Sequence, residues 1–101
     1  MIVPADQIEL TSGTTQTYTR EVQSGRVYLL ERCPDCGINL LATTDAAPEI
    51  VAIWPGTLDD ASWVAPKAHI WTKNAQSWIK FDASDVVYDE QPEDIADLFS
   101  L

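Results

Sequence analysis

The sequence predicts an all-β fold with a short C-terminal helix. Five runs are rich in threonine and in β-branched or other apolar residues, and turn-forming residues separate them. These predicted strands are residues 7–12, 15–23, 26–32, 38–44 and 50–54. The 101 residues suffice for one domain, and an apolar fraction of 46% with four tryptophans argues against disorder.

A hairpin is predicted near the middle of the sheet. A two-residue turn at Ser24 and Gly25 joins residues 15–23 to residues 26–32. Both faces of the second of these strands are apolar, which is typical of a strand inside a sheet. Residues 50–54 form the most strongly apolar run and are the candidate central strand.

The C-terminal part of the chain differs in composition. Residues 68–72 have a short strand-like pattern, whereas residues 82–101 contain seven carboxylates and no basic residue. We therefore predict a β domain over residues 1–81 and an acidic tail over residues 82–101. Within this tail, a proline and two acidic residues at 92–94 are typical of a helix start.

Cys33 and Cys36 form the motif that indicates chemistry. They are separated by two residues and followed by Gly37, which can adopt the positive φ that turns backbone amides toward thiolates. We predict that both cysteines are zinc ligands and that they make half of a tetrahedral site, which a second copy of the chain could complete. A dithiol redox pair, or an empty turn that is reduced or closed by a local disulfide, are the alternatives.

Four blocks of residues, in order along the chain, resemble a known domain family. They are Cys33-Pro34-Asp35-Cys36-Gly37 with Leu40, Pro55-Gly56-Thr57-Leu58-Asp59-Asp60, Pro66 with His69-Ile70-Trp71-Thr72, and Ser77-Trp78. On these motifs the chain resembles the glutathione-dependent formaldehyde-activating enzyme (GFA) family, which shares its domain with centromere protein V. The resemblance covers nearly all of this chain but only the C-terminal two-thirds of the family domain.

The resemblance implies a zinc-associated β-tent fold and a carbon–sulfur lyase reaction that condenses formaldehyde with glutathione. Family members carry an N-terminal C-x-C and then a C-x-C-x-x-C, which complete the structural zinc and hold the catalytic zinc. This chain has no cysteine before Cys33, and Met1 falls where that segment would end. We therefore expect a shortened relative that is not catalytic on its own. A non-catalytic dimeric binding module and a dithiol redox protein are the alternative functions.

Charge and composition limit the classes of partner that we expect. The formal charge of −10, from 16 acidic and 6 basic residues, opposes contact with nucleic-acid phosphates, and a glutathione-type ligand would need a local basic pocket. We expect no membrane span and no secretory signal. Two cysteines in one C-x-x-C suit a reducing compartment, so we expect a cytoplasmic protein. Uncovered strand edges lead us to expect a homodimer.

Three further groups of residues have a chemical and a structural interpretation. His69, the one histidine, could be a third ligand or a general base, but a packing residue bonded to backbone is the commoner case. Asp59 and Asp60 could form an acid–base pair, but neighbours on a turn point apart, so we expect them to cap the turn. The four indoles could line a groove, and we expect them to form the core instead. These are Trp54, Trp63, Trp71 and Trp78.

Overall fold

The computed structural model describes residues 1–101, which form seven strands and four short 3₁₀ helices. The strands are β1 (Ile2–Pro4), β2 (Gln16–Glu21), β3 (Val27–Arg32), β4 (Asn39–Thr44), β5 (Ile50–Ile53), β6 (Ala68–His69) and β7 (Val86–Val87). The 3₁₀ helices are Ala5–Gln7, Pro55–Thr57, Thr72–Asn74 and Ile95–Phe99. The chain divides into two compact units, Met1–Trp63 and Val64–Leu101.

The first unit is built on one five-stranded antiparallel sheet in the order β1-β5-β4-β3-β2. The predicted all-β class is confirmed, and the predicted runs ending at residues 23, 32, 44 and 54 contain β2 to β5. The hairpin between β2 and β3 is also confirmed, with Gly25 at a φ of 82° in its turn. β3 lies inside the sheet, between β2 and β4, as its two apolar faces predicted.

One strand prediction is wrong. No strand forms over residues 7–12, where Leu10 is 62% exposed, and the chain instead pairs β1 with β5 and then turns through Ala5–Gln7. The pairing continues past Pro4, because the backbone N–H of Ala5 donates to the carbonyl of Glu49 at 2.9 Å, and the chain then turns away from the sheet. β5, which the prediction assigned to the centre of the sheet, lies inside it between β1 and β4.

The second unit contains a short parallel pair between β6 and β7. The backbone N–H of Val86 donates to the carbonyl of Lys67 at 2.9 Å, and the N–H of Tyr88 donates to the carbonyl of His69 at 2.8 Å. Residues 82–101 therefore contribute a paired strand. The division into a β domain over residues 1–81 and a tail beyond it stays a prediction.

The predicted C-terminal helix is wrong in type, although its cap is present. The Asp94 carboxylate accepts a hydrogen bond from the backbone N–H of Ala96 at 2.9 Å, as an N-cap does. The segment that follows, Ile95–Phe99, is a 3₁₀ helix of five residues. Helix nucleation costs more than so few backbone hydrogen bonds return, so an α-helix is not favoured here.

The apolar core is small and lies near β5. Val51, opposite Val3 of β1, and Ala47 are the buried apolar residues, and neither face of the sheet is closed over its whole width. On β3, Val27 and Leu29 remain 36% and 37% exposed. Hydrogen bonding between paired strands, rather than a large buried core, therefore contributes most to the structure of this unit.

Candidate functional site

The turn between β3 and β4 brings the two cysteines together. We call residues 33–38 the knuckle. The backbone N–H of Cys33 donates to the carbonyl of Ile38 at 2.9 Å, and the N–H of Gly37 donates to the carbonyl of Cys33 at 2.9 Å. Gly37 has a φ of 75°, in the left-handed region where a side chain is disfavoured. The sequence Cys-Pro-Asp-Cys-Gly therefore closes on itself as a tight turn.

The sheet is irregular directly before the knuckle. Arg32 pairs with Asn39, whereas regular pairing after Glu31 and Leu41 would bring it opposite Leu40. Bulges of this kind bend a strand and re-aim the side chains beside it. Here the bulge lets β3 enter a turn of only six residues before β4 begins.

The thiol of Cys33 lies in an environment that favours its ionised form. The backbone N–H of Cys36, then the N–H of Asp35 and the Cys36 thiol, donate to the Cys33 sulfur and lower the pKa of Cys33. Desolvation and the negative charge of Asp35 oppose this shift only in part. Both cysteines are free, with Cys33 half-buried and Cys36 exposed. Amides that donate to sulfur suit a thiolate ligand.

The knuckle fits half of a zinc site. Two cysteines on one tight turn match the C-x₂-C half of a tetrahedral structural site, which takes four ligands. The structure contains no group of three or more histidine, cysteine, aspartate or glutamate side chains placed to hold a metal ion. The remaining ligands of such a site would have to come from outside the two thiols.

His69 pairs with a carboxylate in the second unit. Its Nε2 lies 2.8 Å from Oδ2 of Asp85, and its ring centroid lies 4.8 Å from that of Phe81. The side chains of His69 and Asp85 are 27% and 10% exposed. His69 packs against Phe81, as a packing role implies, but its ring nitrogen contacts the Asp85 carboxylate and not the backbone group that we expected. No signal in the sequence separates Asp85 from the other acidic residues near it.

The neighbouring aspartates cap a turn. The Asp60 carboxylate accepts a hydrogen bond from the backbone N–H of Ser62 at 2.9 Å. Hydrogen bonding from Ser62 also lowers the pKa of Asp60. The expected capping role is confirmed for Asp60, whose carboxylate accepts the backbone N–H of Ser62.

The expectation that the indoles form the core is wrong. All four tryptophans are exposed by between 37% and 72%. Trp71 has a φ of 58°, its Nε1 donates to Oε1 of Gln91 at 3.3 Å, and Nζ of Lys73 lies 5.3 Å from its ring centroid. None of the four tryptophans lies within a strand, and their rings remain accessible.

Comparison with known proteins identifies the family. A sequence model of the glutathione-dependent formaldehyde-activating enzyme family matches residues 1–74, which include the knuckle and His69. The chain belongs to this family. Residues 75–101 lie outside the match. No curated protein and no solved structure matches the chain. Among the helices of this GFA-family chain, none has the length and apolar character needed to cross a membrane.

Proposed function

We propose that this chain is a zinc-associated GFA domain in which Cys33 and Cys36 provide two thiolate ligands of a structural site. The observation that carries the proposal is the tight turn on which Cys33 and Cys36 lie, closed by hydrogen bonds from the N–H of Cys33 to the carbonyl of Ile38 and from the N–H of Gly37 to the carbonyl of Cys33. The backbone N–H groups of Cys36 and Asp35 also lower the pKa of Cys33. A thiolate, not a thiol, is the form that binds zinc, so a turn that stabilises the thiolate is prepared for the metal.

The residues of the knuckle have distinct roles in this proposal. The left-handed backbone at Gly37 lets the turn close, and the N–H groups of residues 35 and 36 hold the charge on Cys33. Zinc, when bound, would link the end of the hairpin between β3 and β4 to its remaining ligands through four-coordinate geometry. The thiol of Cys36 is exposed, so another segment or another chain can approach it and supply the remaining zinc ligands.

The family reaction, we propose, requires thiolates beyond those of this chain. In it, the glutathione sulfur bonds to the carbon of formaldehyde, and the thiol proton ends on the former carbonyl oxygen. The chain has only two cysteines, and both are used in the knuckle. A catalytic zinc in addition to the structural one would need further ligands, so we propose that these 101 residues do not turn over formaldehyde and glutathione by themselves.

A dithiol redox function is the second candidate, because the same lowered pKa also makes Cys33 a better nucleophile. It predicts a reversible Cys33–Cys36 disulfide and no bound metal. Zinc association is preferred because the knuckle leads into β4, whereas a redox pair of the thioredoxin type precedes a helix.

Metal titration tests the proposal. Cobalt substitutes for zinc and gives a charge-transfer band that grows with the number of thiolate ligands. The chain should show this band on binding cobalt, and Cys33→Ser and Cys36→Ser should each reduce it. Asp35→Asn is the matched control, because it keeps both sulfurs and removes the charge that opposes the Cys33 thiolate. That variant should bind cobalt at least as well as the parent.

Two results would contradict the proposal. A chain that shows no thiolate band and cycles between dithiol and disulfide in a thiol titration, with and without chelator, is the redox protein. Formation of S-hydroxymethylglutathione above the uncatalysed rate, with zinc supplied, would refute the claim that the chain needs further ligands for turnover.

A further inference from the structure

The two edges of the five-stranded sheet differ in what they offer a partner. β1 has three residues and ends at Pro4, which has no amide hydrogen to donate. β2 at the opposite edge has six residues, and every one of them is exposed. No proline or lysine interrupts β2, although these are the usual means of protecting a sheet edge. The edge of β2 is therefore open to an added strand.

Hydrogen bonds in the hairpin define which backbone groups point outward from β2. The N–H of Val22 donates to the carbonyl of Arg26, so the backbone of Val22 faces β3. Facing alternates along an antiparallel ladder, and β2 pairs with β3 without a register shift. Thr17, Thr19 and Glu21 therefore present both their N–H and their C=O groups at the free edge.

We propose that a second copy of this chain pairs with it through β2, antiparallel and about a two-fold axis at Thr19. This register brings Thr19 opposite Thr19 of the second copy and Thr17 opposite Glu21. All of the outward groups are used, and about six interchain hydrogen bonds form. An isologous contact of this kind closes on itself as a dimer and joins the two sheets into one.

The side chains of β2 are self-complementary in this register. Thr17 can donate its hydroxyl to the carboxylate of Glu21 on the second copy, and the two Thr19 side chains meet at the axis. On the other face, Tyr18 lies opposite Arg20 of the second copy, which is a favourable cation–π pair. A register centred on Arg20 or on Glu21 would instead bring like charges together.

This dimer is independent of the proposed zinc site. Cys33 follows β3 opposite residue 15, so in the β2 dimer the two Cys33 residues are about 30 Å apart. Sulfur atoms that share one zinc ion are only about 4 Å apart. A dimer held by four thiolates at a two-fold axis is thus a different assembly, and a chelator distinguishes the two.

The first experiment measures the dimer dissociation constant by sedimentation equilibrium, with and without chelator. We expect a dimer that the chelator does not affect. Thr19→Glu brings two carboxylates together at the axis, whereas within its own chain position 19 faces the apolar Leu29, and it should weaken the dimer roughly tenfold. Mixing this variant with Thr19→Lys brings opposite charges together at the axis and should recover the loss. Gln76→Glu, an exposed change of the same charge in the second unit, should leave the dissociation constant unchanged.

The second experiment tests the register by crosslinking. Thr19→Cys should form an interchain disulfide under mild oxidation, because directly opposed residues in a hydrogen-bonded pair have Cα atoms about 5.5 Å apart. Thr17→Cys is the matched control, since the two copies of position 17 are about 14 Å or more apart. Peptide mapping locates the bridge and excludes those of Cys33 and Cys36.

Any of three results would overturn the proposal. These are a dissociation constant weaker than about 1 mM, a dimer that chelator dissociates, and crosslinking at position 17 as fast as at position 19. Cobalt binding to a monomeric chain would leave the zinc proposal standing while removing this one, so the two fail separately.

Discussion

Replacing Gly37 by alanine tests whether the knuckle depends on a left-handed backbone. Gly37 has a φ of 75°, and a Cβ added there would meet no atom within 4 Å. The cost is therefore conformational strain and not a clash, and for a residue with a Cβ it amounts to about 1–2 kcal/mol. If residue 37 leaves the left-handed conformation in the metal-free variant, metal binding must restore that conformation, and the strain energy is subtracted from the binding free energy. Affinity for cobalt or zinc should then fall about 5- to 30-fold.

Gly13→Ala provides the matched control for this prediction. Gly13 has the same φ of 75° and equally open space, but it lies in the loop before β2 and not in the knuckle. It should lose a similar amount of stability in urea unfolding and keep the metal affinity of the parent. If Gly37→Ala bound cobalt as tightly as Gly13→Ala did, the geometry of Gly37 would not matter to the site, and our reasoning about the knuckle would be refuted.

Three other predictions concern the core, the second unit and the thiol. Val51→Ala should lower the free energy of unfolding by about 2 kcal/mol, because it removes two buried carbons and leaves a cavity. The control Val27→Ala, at an exposed position, should lower it by less than about 1 kcal/mol. Urea unfolding followed by tryptophan fluorescence measures both. Equal losses would show that the core does not lie at β5. Asp85→Ala leaves His69 without its partner and should raise amide exchange in β7 by at least roughly tenfold, since hydrogen bonds with charged groups contribute about 1.5–3 kcal/mol. Unchanged exchange would mean that the pair does not hold this unit together. Because the pKa of Cys33 is lowered, its thiolate persists to lower pH than that of an ordinary thiol. In the metal-free chain, the alkylation rate of Cys33 should therefore reach half its maximum at a lower pH than the rate for an ordinary thiol does. A midpoint at or above that pH would contradict the lowered pKa of Cys33.

Local patterns in the sequence determined much of the first unit. Alternating apolar and β-branched residues were enough to locate β2 to β5, since strand propensity and side-chain period act over a few neighbouring residues. The turn at Gly25 and the left-handed position at Gly37 also follow from local chemistry, because glycine tolerates a positive φ. The motifs around Cys33 and His69 were sufficient to predict the family.

Long-range pairing was decided only by the tertiary structure. The alternation over residues 7–12 is typical of a strand, but β5 pairs with Ile2–Pro4 instead, and a strand exists only where a partner's hydrogen-bonding edge is available. The contact of His69 with Asp85 depends on β6 meeting β7 across 16 residues, which no local pattern encodes. Burial likewise depends on what covers each side chain, so the tryptophans that hydrophobicity assigns to a core, none of which lies in a strand, remain exposed.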